Sequence, residues 1–527
     1  MTEQTSANRQ IARAAGTVMI ALVLGQIIGL VRSILVAGAF DAGSALDPYN
    51  AANRVTETLF NLVAGGALSS AFLPTFTGFL VRDDRKSAWK LASGIGNLVA
   101  LTLSLLALVA AFFAPQIVRY FLASGFANDP AREQLTIHLL RIMLPSAVLF
   151  GLSGLLMSIL NAHQSFFIPA LAPSMYSIGI IIGVLFFAPT LGVDGLAWGV
   201  LLGAGLHLLI QIPSVFRLPG RTYIPQFGLE NPAVREVMKL MGPRLLGVAV
   251  VQINFWVNIQ LASWMAAGSV TTLNYGFTLM LMALAMIAQS VATAAMPTFS
   301  AQVARNDIEG MRASLSATLR GVIFLALPAS IGLILLRQPI VSMLYQRGEF
   351  TRQYAEMTAW ALLWFAAGLV AHSMLEILSR AFYALHDTKT PVTVGAIAMG
   401  INIVFSFAFS ALFLNLGWMP LGGLALANTT ATVLETATLF IILRRRLNGI
   451  GGTSIAKGFT YAAFASGLMG LILFFWLNAT SDQRVWLVGI GGIILGGLAY
   501  GLCLVALRVP EIHTIFHYVE KRFIRHA

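Results

Sequence analysis

Apolar runs of about 20 residues recur from one end of the chain to the other, separated by short clusters of Pro, Gly and charged residues. A helix rises about 1.5 Å per residue and a bilayer's hydrocarbon core is about 30 Å thick, so each run is long enough to cross a membrane. Reading apolar windows against these breaks predicts fourteen helical spans, at 12–37, 49–80, 88–115, 134–160, 167–189, 193–216, 236–265, 269–297, 312–336, 354–383, 391–414, 420–443, 456–478 and 485–507. The opening MTEQTSANRQIARAAG is polar and leads straight into a full-length run, a pattern unlike a cleavable signal peptide. The closing PEIHTIFHYVEKRFIRHA sets Ile512, Ile515, Phe516, Val519 and Phe523 near helical spacing among basic residues, which predicts an amphipathic helix on the membrane surface.

Composition removes the soluble alternative. Of 527 residues, 57% are hydrophobic and 10% charged, with a mean hydropathy of +0.81. Soluble domains carry about 25% charged residues, so a globule of this size would lack the polar surface to cover itself. A net charge of +12 is compatible with nucleic-acid binding, but the basic residues are scattered through short loops. With the N-terminus inside, 23 of the 33 Lys and Arg residues fall on the cytoplasmic side and six on the other. This is the asymmetry the positive-inside rule requires, and it places both termini in the cytoplasm. The lone cysteine, Cys503, excludes an intrachain disulfide.

Four arginines are left over by this assignment and are the intramembrane candidates: Arg32, Arg54, Arg141 and Arg244. Arg32, in IIGLVRSILVAG, has no His, Lys, Asp or Glu within eight residues on either side. A cation in the bilayer is costly and usually faces a bundle interior or an aqueous cavity. Arg32 is expected either to line a cavity, where its planar fork suits phosphate oxygens, or to snorkel from a nearby helix end. Arg54 and Glu57 stand three apart on one helix face, which suits an ion pair or a ligand site equally, and Glu57 is also within reach of Arg32. Arg141 and Arg244 each adjoin a proline near a helix start. Anchoring is the expected role, although Arg244 is also placed to meet an incoming lipid headgroup. Asn254, Asn258 and Gln260 give span 7 a polar face suited to interhelical hydrogen bonds or to solvating a sugar. Glu376 has Arg380 one turn on, whereas Glu435 has no such neighbour and is the better candidate for proton or cation coupling.

Segments also repeat. FLPTFTGFLVRDD at the end of span 2 matches AMPTFSAQVARND at the end of span 8, with Pro74, Arg82 and Asp84 offset by 223 from Pro297, Arg305 and Asp307. His163 and His386 keep that offset, and Pro169 and Pro391 differ from it by one. GLAWG opens span 6 as GLALA opens span 12. Shared order predicts an all-α polytopic membrane protein of two six-helix lobes in parallel repeat plus two extra helices. The expected divisions are 1–217, 218–446, 447–508 for spans 13 and 14, and 509–527 for the tail. Folds of this kind bind substrate between their halves and rock. No paired aspartates, His-Glu-x-x-His motif or Ser–Lys pair supports a catalytic role, and dispersed histidines predict neither metal nor cofactor.

The block GLVRSILVAGAFDAGSALDPYNAANRVTETLFNLVAGGALSSAFLPTF resembles the N-terminal signature of the MviN/MurJ lipid II flippases. So do LLRIMLPSAVLFGLSGLLMSILNAHQSFFIPALAP, MLYQRGEFT and SRAFYALHDTKTPV, which together reach from span 1 to span 11. The resemblance implies a bacterial inner-membrane protein of the multidrug/oligosaccharidyl-lipid/polysaccharide exporter superfamily. It implies that an undecaprenyl-pyrophosphate-linked peptidoglycan precursor moves from the inner to the outer leaflet, with spans 13 and 14 forming a groove for its tail. Cell-wall synthesis proteins are the implied partners, and nucleic acid is not. Carried over residue by residue, the family's headgroup-binding cations match Arg32 and Arg54, the latter standing where the family has lysine, and its span-2 aspartate matches Asp47. The second arginine of span 1 falls at Gln26, the aspartate after the matched arginine at Ser33, the central arginine of span 2 at Phe60, its glutamate at Gly65, and the span-8 arginine at Thr278. An exporter of a less anionic amphiphile and a non-transporting membrane scaffold of the same fold are the alternatives this thinning leaves open.

Overall fold

The computed structural model describes residues 21, 23–63 and 67–509, and every regular element among them is helical. The expected tail helix and the beginning of span 1 lie outside the described residues. Ten helices are individually long and apolar enough to cross a membrane, and three bent pairs raise the number to as many as thirteen. The chain is a multi-pass membrane protein. The difference from fourteen arises where spans 1 and 2 meet. Val23–Ala39 and Ala42–Leu62 form one pair bent by 116° across a two-residue break. Asp41 makes that corner by accepting from the Gly43 and Ser44 amides at 3.0 and 2.6 Å, which satisfies donors that a helix start would leave open.

The chain divides into two units. The first runs to Thr271 and includes Arg347–Phe350, and the second comprises the rest. Span 7, Pro232–Ser263, therefore packs with the first unit, beyond the 217/218 boundary that the repeat suggests. In the second unit, spans 13 and 14 (Gly452–Ala479 and Val485–Ala506) lie against span 9. Tyr500 donates its hydroxyl to the Phe324 carbonyl at 2.7 Å, and Arg320 donates to Ser454. Gly491 and Gly492 of span 14 are pressed against Trp476 and Leu336, while Gly497 and Gly501 face open space.

Internally the two units follow one plan. Arg85–Phe112 and Ile308–Leu335 are both 28 residues long and are offset by 223 at each end. Each is entered through a left-handed residue, Asp83 (φ 54°) or Asn306 (φ 56°), and each is capped by an aspartate, Asp84 on the Ser87 amide and Asp307 on the Gly310 amide. The later match shifts by one. The left-handed residue after span 4 is Gln164 and that after span 10 is His386, both with φ 59°, so His386 corresponds to Gln164. His163 closes its helix where Leu385 closes the other. Pro169 and Pro391 already carried this offset of 222, and the backbone turn rather than the shared histidine sets the register.

Spans 5 and 6 show how helices associate where lipid offers no hydrophobic drive. Gly179 and Gly183 on one face meet Gly199 and Gly203 on the other, two small-x-x-x-small pairs that bring the backbones together. A methyl group on Gly179 would collide with the Gly203 backbone, and one on Gly183 would lie 2.7 Å from the Gly199 Cα, whereas Gly205 has nothing within 4 Å of an added Cβ. Gly179→Ala is expected to destabilise by roughly 1–3 kcal/mol through overpacking. Gly205→Ala should be neutral or slightly stabilising through helix propensity. Thermal unfolding midpoints of the two purified variants in one detergent check this difference.

Candidate functional site

Span 2 begins as Asp47–Val63, a helix with an uncommon pattern for a membrane. Asn50, Asn53, Arg54, Glu57 and Thr58 recur at three- and four-residue intervals, so one face is polar for nearly its whole length. In lipid that face must turn inward and find partners. Asn50 donates to the Thr271 hydroxyl at 3.0 Å. Thr58 donates to the Gln252 side chain at 3.3 Å and accepts from the Trp256 indole at 2.8 Å, which fastens span 7 alongside. Between these ends lie Arg54 and Glu57, paired at 2.9 Å. Asn53 donates to the other Glu57 oxygen at 2.9 Å, and Tyr176 of span 5 donates to Asn53 at 3.4 Å. The Arg54 guanidinium rests on Phe255 of span 7, 4.5 Å from the ring centroid, and its Nε is buried without a hydrogen-bond partner.

Arg32 stands on the neighbouring helix, half-buried and seven residues before the end at Ala39. Its guanidinium carbon lies 5.8 Å from the centroid of Tyr176, so it turns toward span 5 and not along its own helix to the interface. Glu57, which was within reach by sequence, pairs with Arg54 instead. Among the described residues Arg32 has no ion pair. The Tyr176 ring stacks edge-on to Phe150 at 5.2 Å, and Phe150 packs on Phe60 at 4.9 Å. Aromatic rings thus stand where a further arginine was expected. Gln26 is exposed, Ser33 donates to the Gly29 carbonyl, and Thr278 donates to the Asn274 carbonyl of its own helix. Gly65 lies outside the described residues.

The other candidates separate into anchors and isolated groups. Asp47 is 1% exposed and fully engaged. Its carboxylate pairs with Arg132 at 2.8 Å and accepts from the amides of Gly268 and Thr271 at 2.7 and 2.8 Å and from the Thr271 hydroxyl at 2.8 Å. No lone pair is spare for a ligand, and Asp47 instead secures the start of Ser269–Leu284. Asn258 donates to the carbonyl and side-chain oxygens of Asn254, so these two bond each other, while Gln260 reaches across to Ser124. Arg141 donates to Ala111 in the last turn of Arg85–Phe112, where unpaired carbonyls favour a cation. Arg244 is exposed, between Pro232–Gly242 and Gly247–Ser263, which meet at 44°. In the second unit Glu376 pairs with Arg380 at 3.3 Å. Glu435 is half-buried beside Gly395 with no ion pair among the described residues.

Asn53, Tyr176, Phe150 and Phe255 complete the site and were not singled out by sequence. The polar periodicity of span 2 marks Asn53 in retrospect, but the aromatic members have no local signal.

The sequence pattern of the family described as "Lipid II flippase MurJ" matches residues 36–495. The chain belongs to the MurJ family. A lipid II flippase MurJ of Burkholderia cenocepacia is 31% identical over 442 residues, spanning 82% of this chain and 84% of that protein. A probable lipid II flippase MurJ of Haemophilus influenzae is 28% identical over 521 residues, 94% of this chain and 99% of its own length. Among solved structures, a lipid II flippase MurJ in an inward closed conformation superposes with a TM-score of 0.80 at 26% identity, covering 94% of this chain and 99% of that one. An inward-facing multidrug resistance transporter of the MATE family shares the fold with a TM-score of 0.68 at 17% identity, covering 84% of this chain and 99% of its own. The fold is that of the MurJ family and of the wider MOP superfamily.

Within this family member the two ion pairs of span 2 differ in consequence. Asp47→Ala would leave the Arg132 charge and two backbone amides buried without partners, and it should lower stability by roughly 3–5 kcal/mol. A markedly lower unfolding midpoint in detergent is the expected result, and an unchanged midpoint would contradict the anchoring role.

Proposed function

We propose that this chain is a lipid II flippase. It moves an undecaprenyl-pyrophosphate-linked sugar from the cytoplasmic to the outer leaflet of a bacterial inner membrane by alternating access, and it makes or breaks no covalent bond. The observation that carries the site assignment is Arg32, a half-buried guanidinium without an ion pair among the described residues, one helix away from Arg54. A guanidinium offers a planar set of donors that fits phosphate oxygens, and in a low-dielectric setting such bonds are stronger than in water. Arg32 and Arg54 hold the pyrophosphate in this reading, and the rings of Tyr176 and Phe150 give the attached sugar an apolar face to rest on. Spans 13 and 14 guide the polyprenyl tail, with the open flank at Gly497 and Gly501 as the groove.

Both termini lie in the cytoplasm in this account, so the membrane potential favours the outward step. Moving one charge across 100 mV is worth about 2.3 kcal/mol, and a doubly anionic headgroup gains about twice that. Glu435 is the residue we assign to any coupled proton or cation, since it is the intramembrane carboxylate without an ion pair among the described residues. Cell-wall synthesis proteins that use the flipped precursor are the partners.

Reconstituted into liposomes, the wild-type protein should expose labelled lipid II to an external reagent. Arg32→Ala and Arg54→Ala should each reduce the initial rate at least about tenfold, the loss expected from about 1.4 kcal/mol of headgroup contact. Wild-type rates in both variants would overturn the site. No transport of any lipid-linked sugar by the wild type would favour a scaffold.

A further inference from the structure

Arg54 is only partly used by its own protein. One terminal nitrogen pairs with Glu57, its face lies on Phe255, and its buried Nε donates to nothing. Glu57 is held by two residues of the preceding turn, by Arg54 on one oxygen and by Asn53 on the other. Asn53 in turn accepts from Tyr176, the residue over which Arg32 lies. We propose that Glu57 is a built-in counter-anion that occupies the phosphate's place on Arg54 and that the headgroup displaces it to bind and is displaced by it on release. This rests on the flippase reading for the identity of the ligand.

Charge makes the exchange necessary. Arg32, Arg54 and Glu57 together carry a single net positive charge, too little to neutralise a pyrophosphate while Glu57 stays in place. The geometry makes exchange feasible. The Arg54 side chain is 18% exposed and that of Glu57 37%, so the carboxylate is the more accessible member of the pair and can swing outward without unpacking the arginine from Phe255. Asn53 keeps an oxygen of Glu57 within one helical turn of Arg54, so the carboxylate stays close enough to recapture the guanidinium. A phosphate would then take both terminal nitrogens of Arg54 together, the end-on fork that a single Glu57 oxygen on one of them leaves half filled. Exchange of one anion for another spares Arg54 an unpaired intermediate, which in a membrane interior would be expensive. It also keeps the substrate from being bound too tightly to leave.

The test uses the full chain in nanodiscs with undecaprenyl pyrophosphate as the probe. Glu57→Gln keeps the shape of the side chain and removes the competitor, so the probe should bind about tenfold more tightly. The gain should disappear in the Arg54→Gln/Glu57→Gln double variant, which should bind like Arg54→Gln alone. In proteoliposomes Glu57→Gln should lower both the half-saturating lipid II concentration and the maximal rate, because release slows. A purely structural role would lower the rate without tightening binding. Should Glu57→Gln fold poorly, Glu57→Ala carries the same expectation, and added probe should raise its unfolding midpoint more than that of the wild type. Equal or weaker binding by the Glu57 variants, or no binding by any form, overturns the proposal. A gain that persists without Arg54 also overturns it. Tighter binding with no translocation by the wild type leaves this proposal standing and sinks the flippase reading alone.

Discussion

The governing constraint is that a charge placed among these helices must be answered by another polar group, because lipid supplies none. Among the described residues several intramembrane and membrane-edge charges obey it. Arg132 is answered by Asp47, Arg54 by Glu57, and Arg380 by Glu376. Arg141 is answered by a helix-end carbonyl. Among the described residues Arg32 is answered only by the face of Tyr176, and a cation–π contact supplies less than an ion pair does. The site follows from that imbalance. A helix with a polar stripe is turned inward, one pair on it is accessible, and in the proposed function the second cation beside it receives the anion.

The same constraint divides the polar residues of span 2 by function. At its start, Asp47 spends its whole carboxylate on four donors and fixes where three segments meet. Toward its far end, Thr58 joins span 7 through Gln252 and Trp256. Between these two fastenings the Arg54–Glu57 pair is more exposed, and Arg54 keeps a donor in hand. A rigid frame with a yielding centre suits a site that must both hold and release. In the proposed site the aromatic set Phe60, Phe150 and Tyr176 would add contact area without charge, Phe60 standing where the family resemblance implies an arginine.

Much of this was legible in the sequence, and for definable reasons. Apolar run length set most of the described spans to within a few residues. The helix expected at 88–115 is Arg85–Phe112, and that expected at 456–478 is Gly452–Ala479. Repeated turns disclosed two similar halves, because a left-handed residue followed by a capping aspartate is a local feature. Long-range contacts were not legible. Asp47 matched a family site residue, yet its partners lie 85 to 224 positions away, and nothing nearby shows that they consume it. Tyr176 and Phe150 look like ordinary apolar filler until spans 4 and 5 are laid beside spans 1 and 2. The placement of span 7 with the first unit was hidden likewise, since it depends on side chains such as Trp256 meeting Thr58.

The most direct measurement is a structure of the protein bound to lipid II, solved by electron cryo-microscopy in nanodiscs. The account predicts pyrophosphate density within hydrogen-bonding distance, about 2.7–3.2 Å, of both Arg32 and Arg54, with Glu57 turned away from Arg54. Pyrophosphate bound elsewhere, with the Arg54–Glu57 pair intact, would contradict it.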